Sequence, residues 1–250
     1  MRRILKFIGI AFLVVLLALA GVGAYMHKSY PTLKANSEQE ADRVAKKMLQ
    51  AINDSAWQET RAISWRFTGH EYLWDKDREA AQVVWGDTRV LLRLNDQSGK
   101  AFEDGEELQG EDLREALETA WGFWCNDSFW LNPMSKIFDP GTTRYLVEER
   151  DQEHVLVKYG SGGVTPGDSY LWTLAPDGKP EKWEMWVNII PVGGVPAKWQ
   201  GWDQLRTGAW ISTQRGLPLG LKLKTERVDA AASLKQLLGN EPDPFMELEE

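Results

Sequence analysis

The sequence predicts an α+β fold in which about ten or eleven antiparallel strands form an open, curved sheet with a thin helical cover, behind an N-terminal transmembrane or signal helix. Three observations predict it. Beyond residue 60 most of the chain alternates apolar and polar residues with a period of two, punctuated by turn sequences such as Gly86-Asp87 and Pro176-Asp177-Gly178. Two segments, 38–53 and 111–124, instead repeat apolar residues at helical spacing. Thirteen tryptophans outnumber eight phenylalanines and six tyrosines, which is more aromatic surface than two helices on a sheet bury in an ordinary core.

The amino end addresses a membrane. Arg2, Arg3 and Lys6 precede residues 7–26, a run without a charged side chain. As a helix at about 1.5 Å per residue such a run extends about 30 Å, the thickness of a bilayer core. Length favours an anchor, whereas Ala18-Leu19-Ala20 and Val22-Gly23-Ala24 offer the small residues of a cleavage site, so residues 1–27 are an anchor or a signal peptide. In either case the basic residues remain cytoplasmic and the chain from Lys28 is exported. The expected location is the inner membrane with the domain in the periplasm, or the periplasm itself if the signal is cleaved. No lipidation cysteine follows the run.

Residues 28–240 read as one antiparallel α+β domain and 241–250 as a frayed acidic tail, with five acids, two prolines and no base. Ser37-Glu38-Gln39-Glu40 is a capping-box pattern, and Ala41, Val44, Ala45, Met48, Leu49 and Ile52 follow on one helical face. Ile63, Trp65 and Phe67, then His70, Tyr72 and Trp74, alternate as half-buried strands, and 83–85 and 89–94 continue the meander. Glu111 and Asp112 open a second helix whose apolar stripe, Leu113, Ala116, Leu117, Ala120, Trp121 and Trp124, is unusually aromatic. Strands are then predicted at 145–149, 154–159, 169–174, 182–190, 209–213 and 217–228, with a flexible Gly-rich loop at 160–167 and a short helix at 230–238. In the last strand Leu217, Leu219, Leu221 and Leu223 are expected on one dry face.

Composition excludes several functions. A net charge of −8 repels a phosphate backbone, so nucleic acid is not an expected partner. One cysteine, Cys125, forbids an internal disulfide and a Cys-based zinc cage, and three histidines, His27, His70 and His154, leave little else for a metal. No cofactor is implied. Asp75-Lys76-Asp77 with Asp87, and Glu103-Asp104 with Glu106-Glu107, supply carboxylates that solvated loops explain more cheaply than glycoside chemistry or a cation site. The Gly-rich loop lacks the Lys-Ser/Thr of a phosphate cradle, and no Gly-x-Ser-x-Gly elbow occurs. Nothing requires catalysis, so no enzyme is expected.

The tryptophans are either the core of the sheet or the lining of a hollow. Trp65, Trp74, Trp85, Trp172, Trp183 and Trp186 are read onto a single sheet face whose surplus over its helical cover would line a cavity. Residues 121–133 hold five large rings and Leu131, either as a hydrophobic plug over the concave face or as a helix-to-loop cap in which Asn126 and Asp127 bond locally. The candidate ligand-binding residues are Trp65, Phe67, Tyr72, Trp74, Trp85, Trp121, Trp124, Trp183 and Met185. Cys125 reads as a small buried hydrophobe, and His70 as a hydrogen-bonded sheet residue.

A membrane-targeting segment, a first amphipathic helix ending near Asn53, then Ile63-Ser-Trp-Arg-Phe67, Tyr72-Leu-Trp-Asp75, Val84-Trp85 and Arg89-Val-Leu-Leu92 resembles the LolA/LolB-like lipoprotein-carrier superfamily of periplasmic half-barrels. The resemblance spans roughly residues 38–228 as an order of elements rather than as a diagnostic motif. It implies an open barrel of about eleven strands with an apolar hollow for acyl chains, hence a lipid or acyl chain as partner, with the membrane engaged through residues 7–26. The chain departs from that pattern in lacking a lipidation cysteine, in its expected anchor, and in the Asn126-Asp127-x-Phe-Trp-Leu131 block, which together mark a divergent branch. An envelope sensor or scaffold that binds a protein or glycan is the alternative, and a hydrolase the third.

Overall fold

The computed structural model describes Gly23 and residues 27–148, 150–161 and 166–249. The expected anchor or signal therefore lies almost entirely outside the described residues, as does the middle of the Gly-rich loop. Among the described residues no helix is long and apolar enough to cross a membrane.

Thirteen strands form one antiparallel, open, curved sheet. The first six make a meander: β1 (Ala62–Phe67), β2 (His70–Asp75), β3 (Ala80–Trp85), β4 (Thr88–Arg93), β5 (Gly99–Glu103) and the two-residue β6 (Glu106–Glu107). The other seven make a second: β7 (Thr142–Tyr145), β8 (His154–Tyr159), β9 (Ser169–Leu174), β10 (Pro180–Trp186), β11 (Val195–Gln204), β12 (Trp210–Gly216) and β13 (Lys222–Ala231). The halves join where β1 pairs with β13, so β6 and β7 are the two free edges. A register shift between Ser64 and Arg66 puts a bulge at Trp65, in the middle of that seam, where extra local twist adds curvature.

Helix α1 (Glu38–Ala51) buries Ala41, Ala45 and Met48 against β7 and β8, and α2 (Asp54–Glu59) follows directly. Ser37 stands at the expected N-cap, but its hydroxyl does not cap the helix: it donates to the Lys34 carbonyl at 2.7 Å and accepts from the Leu146 amide at 3.0 Å, tying the helix start to the sheet. Helix α3 (Gly110–Leu131) runs from the β6 edge across the sheet towards β7 and ends in a 3₁₀ turn, Pro133–Lys136. Its start fits the expected one, but it continues through the aromatic block to Leu131, so that block is helical rather than a loop cap.

The short helix α4 (Leu234–Leu238) begins at Ser233, whose hydroxyl accepts from the Gln236 amide at 3.2 Å. It lies on the convex side, and so does the carboxyl end. The expected frayed tail is instead a 3₁₀ turn, Pro244–Leu248, with Phe245 and Leu248 buried against Leu73, Ala80 and Leu91. Glu247 receives both guanidinium arms of Arg89, at 2.9 and 3.0 Å, and Arg93 donates to the Leu248 carbonyl. Glu247 thus finds its base on β4 and Asp243 finds Arg78 before β3, at 2.8 Å, partners that a reading of the tail by itself does not include.

The other departures also have local causes. β11 was not anticipated, because Lys198, Gln200, Gly201, Asp203 and Gln204 break its apolar pattern; the strand is held by pairing on both sides. β7 occupies 142–145 rather than 145–149, and β10 stops at Trp186. The leucine alternation at 217–223 is not one strand. Pro218–Gly220 form a 3₁₀ turn with Leu219 at φ +60°, leaving Leu219 and Leu221 exposed, and β13 begins only at Lys222.

Candidate functional site

The concave face carries two aromatic clusters side by side. In the first half, Ile63, Trp65, Phe67, Tyr72, Val83, Val90 and Leu92 point inwards from β1 to β4 and meet Ala120, Trp124 and Leu131 of α3. Trp65 stacks on Tyr72 (4.5 Å between centroids, 13° between planes), Trp124 packs on Trp65 at 5.8 Å, and Trp74 meets Trp124 edge-on at 5.0 Å. Phe123 stacks on His70 at 3.9 Å and meets Trp85 edge-on at 5.4 Å. Such offset and edge geometries satisfy the ring quadrupoles.

In the second half, Trp183 is the hub. It lies against Tyr170 (4.6 Å), Trp172, Trp199 and Trp130 (4.9 Å each) and Phe129 (6.1 Å), with Met185 in the same cluster under α1 and the 3₁₀ turn Pro133–Lys136.

The nine sequence-predicted residues therefore separate into seven in the first cluster (Trp65, Phe67, Tyr72, Trp74, Trp85, Trp121 and Trp124) and two in the second (Trp183 and Met185). Trp130, which touches Phe67 on one side and Trp183 and Trp199 on the other, links them. Trp186 is on the opposite face: one residue out of phase with Trp183 and Met185, it packs with Val147, Leu156 and Leu171 on the convex side. Trp65, Phe67, Tyr72, Trp124, Trp183 and Met185 are buried, whereas Trp74, Trp85, Trp121, Phe123, Phe129 and Trp130 are only partly covered. The helix thus fills the hollow from above and leaves a line of half-covered rings.

Two polar devices fasten α3 to the sheet. Asp127, buried in mid-helix, accepts from the Tyr72 hydroxyl at 2.6 Å and bonds His70 Nδ1 at 2.9 Å through the same Oδ2, while its Oδ1 accepts from Asn126 Nδ2 at 2.6 Å. Burial, then the neighbouring Asp127 carboxylate, drives the Tyr72 phenol well above its ordinary range, so it is a donor at any physiological pH. His70 is a hydrogen-bonded residue of the sheet, as its alternation suggests, with its shorter bond made to Asp127 of α3 and a longer one, 3.3 Å, to the Tyr72 hydroxyl. Although a His–Asp contact is a familiar acid–base pair, here Tyr72 shares the carboxylate oxygen and Phe123 covers the imidazole face. The arrangement is a clamp.

The second device is Arg215, which projects from β12 into the seam and is fully buried. It donates to Thr225 Oγ1 and to the carbonyls of Trp130 and Leu131, the latter at 3.4 Å, and so meets the negative end of the α3 dipole. Its guanidinium lies 4.8 Å from the Trp199 ring. Burial pushes its pKa down to about 9, still a cation at neutral pH. Nothing in the sequence singled out Arg215, since the run Trp210–Gly216 reads as an ordinary strand end; only the meeting of β12 with the end of α3 gives it meaning.

Cys125 is a free thiol packed at the edge of the first cluster, and burial pushes its pKa up to about 11. Among the described residues no group of three or more His, Cys, Asp or Glu could hold a metal. Asp75, one of the loop carboxylates, is buried and occupied locally: it accepts from the Asp77 and Arg78 amides and pairs with the Arg78 guanidinium at 3.0 Å.

No family model matches the chain, and no curated protein matches it. Among solved structures it is similar to a DUF1329 family protein from Desulfovibrio piger, at 10% identity and a TM-score of 0.41, covering 76% of this chain and 92% of that one. It is also similar to a LolA superfamily protein from Nitrosomonas europaea, at 12% identity and a TM-score of 0.39, covering 76% and 93%. Similarity at this level concerns the layout of sheet and helices. The chemistry of the concave face is read from this chain's own side chains.

Proposed function

We propose that this chain is an exported, membrane-tethered binding protein for an amphiphile, a lipid or a lipoprotein acyl chain, and that it performs no covalent chemistry. The observation that carries the reading is the aromatic concave face: two clusters joined through Trp130, one covered by α3 and the other by α1 and the end of α3, with six large rings only partly covered. Six half-covered rings along one helix edge form a contiguous apolar surface that an apolar ligand can finish covering. Apolar burial at about 25 cal/mol per Å² supplies affinity to any ligand that does so. The uncharged run at 7–26 behind three basic residues supports tethering to the inner membrane with the domain in the periplasm. A chain held in this way receives or passes on an amphiphile at the bilayer rather than shuttling it freely.

The test is extraction and mass spectrometry of what accompanies residues 28–250 purified without detergent, combined with tryptophan fluorescence of the delipidated protein titrated with fatty acid or phospholipid. Saturable spectral change in the parent is expected, weakened about tenfold in Trp121→Ala, whose ring is partly exposed, and unchanged in Lys222→Asp on the outside of the seam. No co-purifying lipid and no spectral response would leave the aromatic face as plain core and favour an envelope scaffold.

A further inference from the structure

We propose that Arg215, with the Asn132 side chain and the indole N–H of Trp199, is a carboxylate-binding site inside the hollow, and that the amphiphile of this protein is a single-chain acid bound head-inwards. The inference rests on the amphiphile reading above and names its ligand class.

Its ground is a local surplus of donors around one buried charge. Among the described residues no carboxylate pairs with Arg215, and its Nε–H has no acceptor. Asn132, the residue after the helix end whose carbonyls Arg215 contacts, is buried with neither Oδ1 nor Nδ2 partnered. The Trp199 ring under the guanidinium has an unpartnered Nε1–H, and so do Trp183 and Trp172, which touch it at 4.9 and 5.3 Å. Buried donors in folded proteins are nearly always paired, so a concentration of orphans beside a cation marks a place where an acceptor belongs.

The chemistry of that acceptor follows from what is already used. The terminal nitrogens of Arg215 are engaged by Thr225 and by the Trp130 and Leu131 carbonyls, leaving its Nε edge. One uncompensated positive charge, already softened by the helix end, calls for a monoanion; a phosphate dianion would leave net negative charge in an apolar enclosure. A carboxylate offers two oxygens, enough for the Nε–H and for Asn132 or an indole. The surroundings are rings, Phe67, Trp130 and Trp199, which suit a hydrocarbon chain and not a hydrated ion.

The experiment uses the full chain in lipid nanodiscs, photolabelled with a diazirine-bearing palmitate and competed with unlabelled palmitate or methyl palmitate. In the parent, label is expected on peptides spanning 195–225, and palmitate should compete at least tenfold better than its methyl ester, a difference of about 1.4 kcal/mol. Arg215→Met should remove that preference, and Arg215→Lys should retain part of it. Should Arg215→Met fail to fold, the acid-to-ester comparison in the parent, with Arg215→Lys, decides alone. Acid and ester competing equally for the concave face would overturn the carboxylate site while leaving the amphiphile reading intact, the orphan donors then being served by water. No labelling of the concave face by the diazirine palmitate would overturn both.

Discussion

The clamp between α3 and the first half of the sheet makes a quantitative prediction. Asp127→Ala removes the acceptor of the Tyr72 hydroxyl and of His70, two charge-assisted bonds at 2.6 and 2.9 Å in a buried setting. At about 1.5–3 kcal/mol for each hydrogen bond to a charged group, the loss is about 3–6 kcal/mol, a large share of the stability of a domain this size. Asp127→Asn keeps an acceptor without the charge and should cost about 1–2 kcal/mol. Tyr72→Phe, which leaves Asp127 bonded to His70 and Asn126, should also cost about 1–2 kcal/mol. The double variant Asp127→Ala with Tyr72→Phe has no orphaned hydroxyl and should be more stable than the sum of the single losses by about 1.5 kcal/mol. The assay is urea unfolding of residues 28–250 followed by tryptophan emission, with equal slopes across the four proteins as the check that only stability has changed. A coupling energy under about 0.5 kcal/mol would refute the clamp and reduce Asp127 to a tolerated buried acid.

Three further outcomes follow from the geometry. Phe245→Ala should destabilise the domain by about 3 kcal/mol in the same urea assay, because Phe245 is 1% exposed on the convex face; a change within about 0.5 kcal/mol would restore the frayed tail. Cys125, with its pKa at about 11 against an ordinary 9, holds about 100-fold less thiolate at pH 8, so iodoacetamide should label it at least tenfold more slowly in the native protein than in urea; equal rates would mean an open thiol. Stability should fall as pH rises above 10: Tyr72, Tyr159 and Tyr170 all have raised values, chiefly through burial, so the folded state keeps protons that the unfolded chain releases. The slope approaches about −4 kcal/mol per pH unit for three such groups, and Lys76 and Arg215, pushed down to about 8 and about 9 by burial, each work in the opposite direction by at most about 1.4 per pH unit, so the net slope stays negative. Urea midpoints that do not drop between pH 10 and 11 would contradict the tyrosine burial.

Which parts of this were legible in the sequence depends on how local the cause is. Strands such as Ile63-Ser-Trp-Arg-Phe67 and His154–Tyr159 write their own periodicity, and α1 writes its apolar face, so each was visible in isolation. β11 is held by neighbours on both sides and carries a polar, glycine-interrupted sequence, so its identity resides in β10 and β12. The leucines at 217–223 show the converse: a perfect period of two is overridden by Pro218 and a left-handed Leu219, and half the alternation ends in solvent. For the site, aromatic content pointed to the concave face, where the nine candidate residues lie as seven in the first cluster and two in the second. The polar fastenings were not legible, because Asp127 acquires meaning only from Tyr72, 55 positions away, and Arg215 only from the end of α3, 84 positions away.

The helix that fills the hollow is also the helix that must make room in it, and this sets the affinity that binding can show. If α3 must release its Asp127 clamp to admit a chain, the competent state lies about 4 kcal/mol above the closed one, and the apparent affinity is weakened about 1,000-fold relative to an open site. A sixteen-carbon chain transfers about 12 kcal/mol of apolar free energy on full burial at about 0.8 kcal/mol per methylene, so it can offset the opening and still bind, while chains of four to six carbons cannot. The clamp therefore acts as a length filter. Affinity should rise steeply with chain length in the parent, and Asp127→Asn, which lowers the cost of opening by about 1–2 kcal/mol, should improve binding of every chain by about five- to thirty-fold while making the domain less stable. A variant that is less stable and binds no more tightly would show that α3 does not move for the ligand, and that the half-covered rings along its edge are themselves the binding surface.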